Sequence, residues 1–374
     1  MTGWGDRVSQ RNAAIAGAGR WRTIRALDGR GPLFTLDDGR EVVSFASNDY
    51  LGLSQHPSVV HAAVDAIGRW GTGAGSSRLV VGDRPIHRQL EAALADWKDT
   101  EAALVFPTGY AANVGVLSAL GTGDALILSD EHNHASIVDG CRLARAEVVV
   151  YPHADVEHVA KLLATTPGRP SIVVSDAVFS MDGDVAPLGG LARTCLEHGA
   201  LLVVDEAHAV LPPTWSPQAG LDVLRVGTLS KTLGSVGGFV AGPRSLIDQI
   251  INTARSFIFT TAPTPADMAA ALAALQVLRS DEGDALLGRL SRSVDRLAAG
   301  HPSPIVPIIL GDEGRALDAS TRLMEEHGLL VPAIRPPTVA PGTSRLRLAL
   351  SAAHTNAQVE RLVEALEALE LARQ

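Results

Sequence analysis

Short, nearly continuous apolar runs alternate with amphipathic stretches through the middle of the chain. The runs are Ala102–Phe106, Ala125–Leu128, Glu147–Tyr151, Ser171–Val174, Leu201–Val204, Val223–Val226 and Gly238–Ala241. Strands apolar at every position, rather than at every second one, are covered on both faces, which points to a largely parallel sheet between two layers of helices. The intervening stretches Asn113–Leu120, His134–Ala146, Val156–Ala164 and Leu188–His198 read as those helices. Ahead of them, Leu33–Val43 carries a hairpin signal centred on Asp38-Gly39. Beyond them, helical Pro265–Leu278, Asp284–Ala298, Asp318–Glu326 and Gln358–Leu371 enclose strand-like Ile305–Leu310 and Leu346–Leu350. The expected architecture is α/β: an arm over residues 1–45, a large domain with a seven-stranded sheet over 46–262, and a smaller α+β domain over 263–374.

Composition narrows the partners. Of 374 residues, 46% are hydrophobic, enough for a sizeable core, and the formal charge is −9, which disfavours nucleic acid as the main partner. No run approaches the roughly 18 apolar residues of a membrane span. The start, Met1 to Arg7, lacks a secretory pattern, and two cysteines, Cys141 and Cys195, suit a reducing cytoplasm. The bases are nearly all arginine, which cannot serve as an amine nucleophile. Only Lys98, Lys161 and Lys231 can.

Ligands of such sheets lie beyond the carboxyl ends of the strands. One strand ends in Asp205-Glu-Ala-His208 and the next in Gly227-Thr-Leu-Ser-Lys231. Ser230 and Arg225 stand where a P-loop needs glycines, so a Walker-type site is disfavoured. Lys98 and Lys161 sit in polar helical contexts and read as solvated or snorkelling side chains. An acid, a histidine and a lysine at adjacent strand ends suit pyridoxal phosphate. That cofactor needs an amine for its aldehyde, an acid for its ring nitrogen, and donors for its phenolate and phosphate. Gly109 and Tyr110 open a helix and offer backbone N–H groups to an anion, and Thr228 and Ser230 add hydroxyls. His132 and His134 lack the spacing of a helical metal pair and have no evident third ligand, which leaves a helix-capping cluster or a cofactor-stacking imidazole. Gly71–Arg78 follows a helix-like segment rather than a strand, so it is read as a loop admitting substrate and not as a dinucleotide fingerprint.

Ser47-Asn-Asp-Tyr-Leu-Gly-Leu53, Phe179-Ser-Met-Asp-Gly-Asp184, Asp205-Glu-Ala-His208, Thr228-Leu-Ser-Lys231 and Ile334-Arg-Pro-Pro-Thr-Val339 occur in this order over nearly the whole chain. In them the chain resembles the α-oxoamine synthases. These are fold-type-I pyridoxal-phosphate enzymes that join an amino acid to an acyl thioester with loss of CO2. The resemblance implies that Lys231 takes the cofactor aldehyde and, once freed, the Cα proton of the substrate. It implies that Asp205 pairs with the ring nitrogen, that His208 and Ser180 bond the phenolic oxygen, and that His134 stacks on the ring. Gly109, Tyr110 and Thr228 would bind phosphate, with Thr261 contributed across a homodimer. Asn48, Arg335, Thr338 and Arg347, with Arg22 of the arm, would meet substrate carboxylates, for which the arginine fork is suited. Through Arg335–Val339 followed by Gly342–Leu348 the resemblance narrows within the family, and it then implies L-alanine and a pimeloyl thioester, on coenzyme A or a carrier protein, as substrates. The alternatives are a sister enzyme using glycine or serine, and a non-catalytic partner subunit. Three departures stand out: Asp176-Ala177 where many relatives carry Glu followed by Gly or Ser, Ala209–Trp215 in place of a glycine-rich loop, and a poorly matching arm.

Overall fold

The computed structural model describes residues 3–211 and 215–371. Three short strands lie in the arm: β1 (Asp28–Arg30), β2 (Leu33–Thr35) and β3 (Glu41–Ser44). β2 and β3 form the expected hairpin, with Gly39 at φ 86° in the left-handed region that its turn demands. The main sheet comprises β4 (Ala102–Phe106), β5 (Leu126–Asp130), β6 (Glu147–Tyr151), β7 (Ser171–Asp176), β8 (Leu201–Asp205), β9 (Val223–Thr228) and β10 (Gly238–Gly242). Its spatial order is β4-β10-β9-β8-β7-β5-β6. Only β10 runs against its neighbours.

The apolar runs are continuous because both faces of the sheet are used. Leu104, Phe106, Ile127, Val174, Val203 and Val240 enter one core, behind helices Gly109–Leu120 and Arg244–Thr253. Their neighbours Leu126, Leu128, Val173, Leu202 and Val204 enter another, behind Val156–Ala164 and Leu188–His198. The C-terminal part holds β11 (Ile305–Gly311), β12 (Leu329–Leu330), β13 (Ala333–Ile334) and β14 (Ser344–Ala349), with helices Pro265–Leu278, Asp281–Leu297, Glu313–His327 and Asn356–Ala368. β12 pairs in parallel with β3, which joins the arm hairpin to the C-terminal part. The arm also carries helix Trp4–Gly17, which buries none of its side chains. Among the described residues no helix is long and apolar enough to cross a membrane, and both cysteines are buried and free.

Two charged clusters fasten the sheet near its carboxyl edge. Glu206, just past β8, is buried between Lys98 Nζ at 2.8 Å and Arg225 Nη1 at 2.7 Å. Burial alone would raise the Glu206 carboxyl, but the two cations outweigh it and hold it below the usual carboxylate range. Lys98 is therefore not the solvated side chain that its polar surroundings in the sequence suggest: its partner lies 108 positions away. Lys161, 77% exposed and 4.0 Å from Glu157, is solvated as expected. In the second cluster His153 bridges Asp130 at the end of β5 (3.0 Å) and Asp184 (2.7 Å), while its ring meets the Phe179 ring edge-on. That clamp fixes both ends of the Phe179–Asp184 segment.

Glu206→Ala leaves two cations without their partner and should cost about 3–5 kcal/mol in urea denaturation, against less than about 0.5 kcal/mol for Lys161→Ala. Burial lowers the His153 pKa, but hydrogen bonds and charge from Asp130 and Asp184 raise it further, for a net upward shift. The clamp therefore contributes most below the ordinary imidazole value of about 6.5 and is lost as pH rises through the raised folded value. The stability gap between wild type and His153→Gln should accordingly shrink from mildly acidic to alkaline pH.

Candidate active site

The carboxyl ends of β4, β5, β7, β8 and β9 converge on one site. Asp205 closes β8 and stands in register with Asp176 at the end of β7. Asp205 Oδ2 accepts from Asn113 Nδ2 at 2.6 Å, and its Oδ1 accepts from the Ala207 N–H at 2.9 Å. Asp176 Oδ2 accepts from the His134 N–H at 2.7 Å. Among the described residues neither carboxylate has a salt-bridge partner within 4.0 Å, although both are buried. Burial, and then the negative charge of Asp205, push the Asp176 carboxyl well above its ordinary value. The sequence departure at Asp176 thus places a hydrogen-bond acceptor for the backbone of the site histidine.

Lys231 follows β9 and is held in the same field. Burial lowers its ammonium below the ordinary lysine value and Arg347 adds to this, while Asp205 and Asp176 oppose it. His208 is buried, and burial with the nearby positive charges of Lys231 and Arg347 lowers it well below an ordinary imidazole. His134 caps helix Ala135–Leu143, one residue later than the expected helix start, and burial lowers it too. Both rings are neutral near neutral pH.

The anion cradle is built by close backbone approach. Thr108 caps helix Gly109–Leu120 by accepting the Ala111 N–H at 3.0 Å, which leaves the first-turn N–H groups of Gly109 and Tyr110 without intrahelical acceptors. A Cβ on Gly238 would stand 2.4 Å from the Gly109 nitrogen, and one on Gly109 would stand 3.3 Å from Thr228 Cβ. Thr228 Oγ1 lies 2.7 Å from Ser230 Oγ and donates to the Gly237 carbonyl at 3.0 Å. The Tyr110 hydroxyl turns away to donate to Asp139 at 2.5 Å, so Tyr110 offers this cradle its backbone only. These groups fit a phosphorylated pyridine aldehyde. The amine stands among acids, a buried carboxylate lacks a cationic partner, and a helix start with hydroxyls is ready for phosphate.

The substrate side gathers less completely. Arg347, buried on β14, donates through Nε to the Ser180 carbonyl at 2.5 Å and through Nη2 to Asn48 Oδ1 at 3.1 Å. Arg335 is turned toward the arm, donating to the Gly19 carbonyl at 3.1 Å. Arg22 lines a separate groove with Ile15, Arg20, Trp21 and Pro337. Thr338 is exposed on a cavity of about 660 Å3 that it shares with Arg20, His132, Met181 and Arg345. Thr261 is exposed in the protomer. The Gly71–Arg78 loop ends in a buried Arg78 bound to both oxygens of Glu91 and to Asp83, an anchor that the glycine pattern did not announce. Of the Ala209–Trp215 departure, residues 212–214 lie outside the described residues.

Three further side chains belong to the site. Tyr50 OH lies 2.6 Å from His208 Nδ1, and Asn113 and Ser136 connect Asp205 to His134. Tyr50 stands inside the Ser47–Leu53 motif, so that motif was its signal. Asn113 and Ser136 lie on two helices that meet only in the fold. Gly140 permits that approach: a Cβ there would stand 3.1 Å from the Asn113 carbonyl oxygen.

Residues 40–366 match the family described as aminotransferase class I and II. The chain is 49% identical to the 8-amino-7-oxononanoate synthase of Anaeromyxobacter dehalogenans strain 2CP-1, over 97% of this chain and 95% of that one. It is 47% identical to the protein of the same name from Geobacter sulfurreducens, over 93% and 94%. Among solved structures it resembles serine palmitoyltransferase from S. paucimobilis, solved with a bound PLP-myriocin aldimine. That likeness has a TM-score of 0.89 and 29% identity, with 98% of each chain covered. With its site at the carboxyl edge of a mostly parallel seven-stranded sheet, this chain belongs to the aminotransferase class I and II family.

Proposed function

We propose that the protein condenses L-alanine with a pimeloyl thioester, releasing CO2, free thiol and 8-amino-7-oxononanoate for biotin synthesis, with pyridoxal phosphate as cofactor. The observation that carries this reading is the placement of one half-buried lysine amine among Asp205, Asp176, His134, His208 and Arg347, beside a helix start with free N–H groups. Relatives bearing the name of this activity at 47–49% identity over nearly their full length support it. Bound there, pyridoxal phosphate supplies an aldehyde for Lys231 and an electron sink for negative charge developing at the substrate Cα.

The chain's own residues do the rest. Asp205, fixed by Asn113 and the Ala207 N–H, would pair with the ring nitrogen. His134 covers one face of the ring, and His208 with Ser180 serves its phenolic oxygen. Arg347, with Asn48, receives the alanine carboxylate and so orients the Cα–H bond, an alignment worth much of the rate. Lys231, its pKa lowered by burial, is suited to carry that proton away and return it. The 660 Å3 cavity bearing Thr338 takes the acyl chain, whose distal carboxylate draws on Arg20 and Arg345, which in the free protein are paired with Glu313 and Asp182.

The working form is a cytoplasmic homodimer. Leu79, Val80, Val81 and Phe259 are 54–72% exposed, and the segments bearing them are linked by the Ala262 N–H to Ser76 carbonyl bond. A second copy covering this apolar patch would bring its Thr261 to the phosphate cradle. Sedimentation at twice the protomer mass is expected, and a monomer contradicts this part of the reading.

Steady-state assay with each small amino acid and each thioester tests the substrates. Turnover of alanine with pimeloyl thioester is expected. Turnover of glycine or serine with another acyl thioester, and none with the first pair, contradicts the reading. Asp205→Asn should lower kcat by about 10²-fold or more while cofactor still binds.

A further inference from the structure

Hydrogen bonds around His134 have directions that are not free. The backbone N–H of Ser136 reaches His134 Nδ1 at 3.2 Å, and an N–H can only donate, so that nitrogen carries no proton. Ser136 Oγ lies 2.7 Å from the same nitrogen and accepts from Asn113 Nδ2 at 2.9 Å, so its own proton also goes to Nδ1. The Asn113 orientation is set by Asp205: with the amide reversed, its oxygen would face a carboxylate oxygen at 2.6 Å.

On the other side of the site, Tyr50 OH is 2.6 Å from His208 Nδ1 and 3.2 Å from Asn48 Oδ1. Asn48 Oδ1 accepts from Arg347 at 3.1 Å and has a second lone pair, so the phenol has two acceptors in reach; the contact to His208 Nδ1 is much the shorter, and the phenolic proton is assigned to it. Tyr50 is fully buried in the protomer, and burial raises its pKa, so the proton stays on the phenol.

We propose that Tyr50 and Ser136 are positioning residues that hold His208 and His134 as Nε2–H tautomers, so that each ring keeps one N–H donor free for the site. Among the described residues neither Nε2 has a hydrogen-bond partner in the protein. Asn113 ties the two sides together, since one amide group orients Asp205 and, through Ser136, His134. This explains how two histidines beside Lys231, one of them buried and also near Arg347, act as neutral donors rather than as cations.

That these N–H groups serve cofactor and substrate rests on the proposed function. The tautomers do not, and are read in the full chain stripped of cofactor. With 15N-histidine labelling, and resonances assigned by single histidine replacements, both rings should show Nδ1 unprotonated and Nε2 protonated. Tyr50→Phe should move the His208 nitrogens toward a mixture of tautomers and leave His134 unchanged. Ser136→Ala should perturb His134 and spare His208. With pyridoxal phosphate restored, Tyr50→Phe should also displace the pH midpoint of its visible absorbance. A wild-type His208 protonated on Nδ1 overturns the proposal, as does a Tyr50→Phe protein in which neither the nitrogens nor the midpoint moves.

Discussion

Two carboxyl groups set side by side at the sheet's carboxyl edge, with no arginine among the described residues to neutralise them, govern the rest of this site. Asp176 and Asp205 are register partners on adjacent strands, so the fold forces their proximity. Burying two ionised carboxylates together is expensive, and the structure resolves the conflict asymmetrically. Asp205 receives donors from Asn113 and Ala207, whereas Asp176 is pushed toward its neutral form. What remains is one fixed negative charge that asks for a positive partner. Lys231 supplies part of the answer.

The same constraint orders the neighbouring chemistry. A lysine near a fixed anion would keep its proton, but burial and Arg347 pull it the other way and bring its amine closer to use. Burial lowers both histidines; Lys231 and Arg347 add to it at His208, while at His134 Lys231 adds to it and Asp205 opposes it. Arg347 reaches the site from the C-terminal part and touches both Ser180 and Asn48, so this end of the site joins three distant stretches of chain. The His153 clamp and the Glu206 ion pairs stand just behind this edge and hold the strand ends where the chemistry needs them.

Much of this was legible in the residues alone, for a physical reason. Strands buried on both faces produce apolar runs, and all seven runs are strands of the main sheet, although β6 at its edge is largely exposed. Helices Val156–Ala164, Leu188–His198 and Pro265–Leu278 keep the bounds that their periodicity suggests. Chemistry at strand ends follows from where the runs stop, which brought Asp205, His208, Thr228 and Lys231 into view. Partnerships between distant residues were not legible. Lys98 reads as solvated because nothing near it in the chain shows Glu206, and Asn113 and Ser136 look like ordinary helix residues until two helices pack. The joining of β3 to β12 and the turn of Arg335 toward Gly19 likewise exist only in three dimensions.

The central claim is that one lysine, set apart by its field rather than by its abundance, carries the chemistry. Borohydride reduction of the protein loaded with pyridoxal phosphate, followed by peptide mapping, tests it directly. The account predicts a single reduced label on the peptide bearing Lys231. A label on Lys98 or Lys161, or a protein that takes up no label at all, would contradict it.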